Sequence, residues 1–154
     1  MRKISAFLVT MISLLSFSCS GKAPEGEMTY YKYGESNGYA ISGSTYTAEV
    51  KPDGTCLLTK KIISGDFDNP TIVSVTVDKS VMEHILELFL SNKMYDYKEQ
   101  YQPKSEITDG TDWSFSAKVG NKSYRSSGYQ AWPDRKAFNA INSFICSFFP
   151  AKEE

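Results

Sequence analysis

One histidine, three cysteines and no long apolar run set the first limits on this 154-residue chain. With His84 as the lone imidazole and no pair of cysteines at ligand spacing, a zinc site is not expected. A Ser-His-Asp triad would hang on that same His84 as its only possible base. His84 therefore reads as a surface residue, and neither a metal nor a cofactor is expected. Charge of one sign is also missing. Seventeen basic residues stand against eighteen acidic ones, and no basic stripe runs along the chain. That balance points away from nucleic acid as a partner. The longest uncharged, mainly apolar stretch covers residues 4–17, fourteen residues, where a transmembrane helix needs about 20.

That stretch reads instead as an export signal. Arg2 and Lys3 precede it, and Ser16-Phe17-Ser18-Cys19 closes it. The ending resembles the lipobox of bacterial lipoproteins, in which a small residue precedes a lipidated cysteine. Here Ser16 stands where leucine is usual, and Leu15 lies one position earlier. The resemblance implies a signal peptide over 1–18 and a lipid on Cys19, holding the protein to the cell envelope at the outer membrane. The sequence leaves the face of that membrane open. An ordinary cleavage near Ser18 would instead leave a secreted protein with a free thiol. Losing residues 1–18 removes Arg2 and Lys3 and no acid, so a net −1 becomes −3. Residues 19–27 (CSGKAPEGE) are small and polar and are expected to form a flexible tether. Cys56 and Cys146 remain, in a predicted strand and a predicted helix, either as a bridge or as buried free thiols.

Aromatic residues are plentiful, with ten Tyr and nine Phe, as suits a sheet protein or a binding surface. Residues 28–33 have strand composition and run into glycines at 34 and 38, expected to form a turn. Residues 39–50 alternate apolar and polar, Pro52-Asp53-Gly54 makes a hairpin turn, and 55–63 and 71–77 are further strands. The period then lengthens. Val81, Ile85, Leu88 and Phe89 recur at helical spacing, with Asp78 or Ser80 as cap and Ser80 with Glu83 as a capping box. After a tyrosine-rich connection, Trp113, Phe115, Ala117 and Val119 alternate, Gly120-Asn121 turns, and 122–127 returns. Asp134 caps a last helix carrying Phe138, Ile141, Ile145 and Phe148, which Pro150 stops. The fold expected over residues 28–150 is one α+β domain. Its form is a two-layer sandwich, with two amphipathic helices on one face of a mainly antiparallel sheet of four to six strands.

Asp109-Gly110-Thr111-Asp112-Trp113 and Gly128-Tyr129-Gln130-Ala131-Trp132-Pro133 make the second half resemble a group of small uncharacterised bacterial domains, many of them lipoproteins. The resemblance spans roughly residues 45–148 and implies a fold without an activity. Asp109, Gly110, Gly128 and Pro133 are expected to order the loop before the last helix, with Asp109 accepting its N–H groups. Tyr95, Tyr97, Tyr101, Tyr129 and Trp132 form a candidate binding surface for a protein or glycan, or else cover the core. Asp66-Phe67-Asp68-Asn69 has the oxygen donors of a calcium loop, without the glycine and distal glutamate of an EF-hand, and reads as a turn. The leading functional expectation is a membrane-tethered, non-enzymatic binding or accessory module. The alternative is a hydrolase using Asp109 and Asp112, with Glu106, beside an aromatic cleft.

Overall fold

Alternation of apolar and polar residues builds a sheet whose two faces have opposite character. A computed structural model describes residues 21–37, 42–66, 68–107 and 109–150, so the expected signal peptide and Cys19 lie outside the described residues. The strands are β1 (Met28–Asn37), β2 (Ser42–Val50), β3 (Cys56–Ser64), β4 (Thr71–Val77), β5 (Gln100–Tyr101), β6 (Thr111–Val119) and β7 (Lys122–Tyr129). The helices are α1 (Ser80–Ser91) and α2 (Arg135–Cys146), and a 3-10 turn spans Met94–Asp96. All seven strands join one sheet in the order β4-β3-β2-β1-β6-β7-β5. Every pairing is antiparallel except β5 with β7.

Seven strands exceed the four to six expected, because the tyrosine-rich connection contributes β5. There the Ser127 N–H donates to the Glu99 carbonyl at 2.9 Å, and the Ser126 hydroxyl to the Lys98 carbonyl at 2.6 Å. The turn expected from Gly34 is likewise strand through Asn37. β1 sits at the centre of the sheet, so residues 34–37 have partners on both sides, in β2 and in β6. Satisfying both rows of backbone groups outweighs the turn preference of glycine.

On one face lie Tyr31, Tyr33, Ala48, Leu58, Phe115 and Ala117, all buried, and the side chains of both helices meet them. Phe138 of α2 stacks 4.7 Å from Tyr33 and lies 5.6 Å from Phe115. Phe89 of α1 lies 5.4 Å from Tyr124 and 6.2 Å from Phe115. Each such ring, fully buried, contributes about 1.5–3 kcal/mol of transfer free energy. His84 is exposed; its Nδ1 lies 3.1 Å from Glu87 and its ring 4.5 Å from Phe144, so it sits across the contact between the helices.

The helix starts differ from each other. Asp134 caps α2 as expected, accepting the N–H groups of Lys136 and Ala137 at 2.9 and 3.4 Å. The expected Ser80–Glu83 box does not form. The residue before α1 is Lys79, without a side-chain cap, and Asp78 instead accepts the Ser80 N–H at 2.8 Å. Cys56 and Cys146 are free thiols, and burial pushes the Cys56 thiol up. Among the described residues no helix is long and apolar enough to cross a membrane.

The described part of the expected flexible tether lies against the domain. The Gly21 N–H donates to Asp96 at 3.0 Å, Pro24 is buried, and the Glu27 carbonyl accepts from the Gly120 N–H at 2.9 Å. Lys79 closes the segment with a 2.7 Å ion pair to Glu27. These contacts reach the 3-10 turn, the β6–β7 turn and the residue before α1.

Candidate functional site

Of the aromatic set expected to form a binding surface, Tyr95, Tyr97, Tyr101 and Trp132 pack onto the core at half-buried positions. Tyr101 and Trp132 flank Trp113, at 5.9 and 6.3 Å between ring centres. Trp132 donates its indole N–H to the Tyr33 hydroxyl at 3.2 Å, and Tyr33 donates to Glu35 at 3.0 Å. The Arg135 guanidinium covers the Trp132 ring at 4.4 Å and lies 3.6 Å from Glu35. Tyr33, Glu35, Trp132 and Arg135 thus close a ring over the start of α2. Tyr95 packs 6.2 Å from Phe89, and Tyr97 lies 5.8 Å from Phe138. Tyr129 stands apart and donates to the Ile107 carbonyl at 2.9 Å.

The loop over residues 128–133 is held by Trp113, whose indole N–H donates to the Ala131 carbonyl at 2.7 Å. The Gln130 N–H adds a bond to the Thr111 carbonyl at 3.0 Å, with Gln130 itself at φ 48°. Asp109, expected to order this loop, is exposed, and among the described residues it makes no hydrogen bond. Gly128 is required by close approach, since a Cβ there would meet the Trp113 indole nitrogen at 2.6 Å. Gly110 lies buried under the Tyr129 ring, where a Cβ would overlap that ring. Pro133 precedes the Asp134 cap, as the sequence suggested.

Glu106, Asp109 and Asp112 are all exposed. Asp66 accepts from the Asp68 N–H at 2.8 Å and the Asn69 side-chain amide at 2.7 Å, and both bonds lower its carboxyl. That geometry is an ordinary turn closed by its own side chains. Among the described residues, no group of three His, Cys, Asp or Glu side chains could hold a metal ion.

The face of the sheet turned away from the helices presents a different arrangement. Three strands, β1, β6 and β7, floor a shallow depression of about 580 Å³. Register places Thr47, Lys32, Ser116 and Arg125 in one row across β2, β1, β6 and β7. The next row holds Glu49, Tyr30, Lys118 and Ser123, and the row on the other side Thr45, Gly34, Ser114 and Ser127. Adjacent strands lie about 4.8 Å apart, so Lys32 and Arg125 stand roughly 10 Å apart at the backbone, with Ser116 between them. The serines are short, so the floor is low and lined with hydroxyls, while three long cationic side chains stand around it.

Charge on this face is segregated. Among the described residues no ion pair engages Lys32, Lys118 or Arg125, nor Lys61 farther out on β3. Glu49, which lines the groove, is held by Lys51 at 2.8 Å. The remaining acid of this face, Asp112, lies toward its far end, opposite Ser36 and Tyr129. Sequence reading missed this patch because its cations come from three strands that meet only in the folded sheet. The available signal was faint: Lys32, Lys118 and Arg125 each occupy a polar position in an alternating strand. No family model matches the chain, and no curated protein matches its sequence.

Proposed function

We propose that this chain is a lipid-anchored binding module of the bacterial cell envelope. In this reading it is a two-layer sandwich whose helices cover one side of the sheet and whose other side takes an acidic glycan. The observation that carries the reading is the serine-floored groove ringed by Lys32, Lys118 and Arg125, which no ion pair engages among the described residues. Carboxylate, sulfate or phosphate groups on a polymer would meet these charges. Serine hydroxyls would exchange hydrogen bonds with sugar hydroxyls, and the half-buried Tyr30 ring offers a flat face to a sugar ring. The N-terminal order of charge, apolar stretch and Ser-Cys supports anchoring at Cys19.

The test uses the full-length protein in detergent, with immobilised polygalacturonate as probe and neutral dextran as control. Retention on the polyuronate should fall as salt rises, because exposed charges are screened beyond about 8 Å at physiological ionic strength. Replacing both Lys32 and Arg125 with serine should weaken binding about tenfold without lowering thermal stability. Equal retention on dextran, or unchanged retention in the double variant, would remove the basis of this reading. Cys19→Ala should release the protein from the membrane fraction, and a wild type without lipid mass would count against the anchor.

A further inference from the structure

The two edges of the sheet are unlike. One ends in β5, only two residues long, which is too short to template another strand. The other ends in β4, seven residues of sequence TIVSVTV without a charge, a proline or a glycine. Natural edge strands usually carry a lysine, a bulge or a proline that blocks further pairing. This one carries none within its length. Among the described residues β4 pairs only with β3, so its second row of backbone donors and acceptors faces outward. Ile72 is 59% exposed and Val73 39%, and they are two of the three large apolar side chains left exposed on the molecule's described surface.

From this edge we infer that β4 is the contact surface for a second copy of this chain, joined in antiparallel pairing about a two-fold axis through Ser74. Self-complementarity selects a second copy as the occupant. A two-fold at Ser74 sets Val73 against Val75 and Thr71 against Val77 on the helix side of the sheet. On the other side it sets Ile72 against Thr76 and Ser74 against itself. β-branched side chains meet β-branched side chains, which favours cross-strand packing. No like charges meet, because the strand has none. A seven-residue edge buries an area at the low end for protein interfaces, so the pair should form where chains are concentrated, as on a surface.

The axis runs perpendicular to the sheet, because residues paired across antiparallel strands point to the same side. Both serine-floored grooves therefore lie on one side of the pair, and a repetitive ligand could engage both at once, with a gain in avidity. The pairing itself does not depend on what the groove binds.

Single cysteines introduced in the full-length protein, in its own membrane, read the register directly after mild oxidation and non-reducing electrophoresis. Ser74→Cys should give one dimer band well above that of the wild type, which already carries Cys19, Cys56 and Cys146. Ile72→Cys and Thr76→Cys should each match the wild type, because like residues then sit about 14 Å apart along the strands. Co-expressed, those two variants should cross-link. Val73→Lys added to Ser74→Cys should remove most of the dimer band. Native mass spectrometry of the purified wild type over rising protein concentration, without any added thiol, should show a growing dimer fraction that Val73→Lys abolishes. The inference is overturned if Ser74→Cys gives no excess band, if all three positions cross-link equally, if a ladder of higher species forms, or if the wild type stays monomeric.

Discussion

Single side chains decide how the loop before α2 is held. Trp113 is 3% exposed and donates its indole N–H to the Ala131 carbonyl at 2.7 Å, while Asp109 stands in solvent. Trp113→Phe keeps most of the packing and strands a carbonyl, so it should cost about 1–3 kcal/mol. Asp109→Ala should stay within about 0.5 kcal/mol of wild type. Denaturant midpoints of the two variants check this, and a larger loss at Asp109 would reverse the assignment. Tyr97 is the opposite case, a buried hydroxyl without a partner among the described residues. Tyr97→Phe removes that orphan and should stabilise the fold by about 1 kcal/mol at neutral pH. Burial also raises the phenol of Tyr97, to about 12, and those of Tyr31 and Tyr33 above their ordinary values. The unfolded chain then loses these protons first, near pH 10. Stability should hold level below that and fall as pH rises through the folded values. Melting temperatures at pH 7 and 11 should show a smaller alkaline loss in Tyr97→Phe.

At the level of elements, the sequence was legible where one local pattern decides the outcome. Alternation at 113, 115, 117 and 119 named the buried face of β6, and all four residues are buried. Asp134 was legible as a cap because an aspartate ahead of an apolar period has little else to do there. Its two accepted N–H bonds predict that Asp134→Ala costs about 1 kcal/mol. Ser80→Ala should cost far less, since Ser80 lies inside α1 and its hydroxyl caps nothing. Chemical denaturation of the pair tests whether capping follows geometry or motif; equal losses would favour the motif. Non-local pairing was not legible. That glycine 34 stays in a central strand depends on β2 and β6 closing over it from distant parts of the chain. The cationic face is hidden for the same reason: Lys32 meets Ser116 and Arg125 only through the β1–β6 and β6–β7 registers. Neither edge of the sheet is visible before the strand order is known.

For the molecule as a whole, the docked N-terminal segment has a consequence for orientation. Only Ser20 separates the proposed lipid attachment at Cys19 from Gly21, so at most about 7 Å of extended chain lies between them. Gly21 is itself fixed to Asp96, in the 3-10 turn that packs on the helix-bearing side through Met94 and Tyr97. An anchor so short would act as a foot and not as a leash. The bilayer would lie beneath the helices, and the groove would look outward into the compartment. A lipid-phase quencher should then reach a fluorophore at Asn139→Cys, on the exposed side of α2, better than one at Ser123→Cys on the opposite face. The reverse order would turn the groove toward the membrane. A two-fold axis along the sheet normal keeps both helix layers on one side, so an edge-joined pair would set both its feet in the same leaflet.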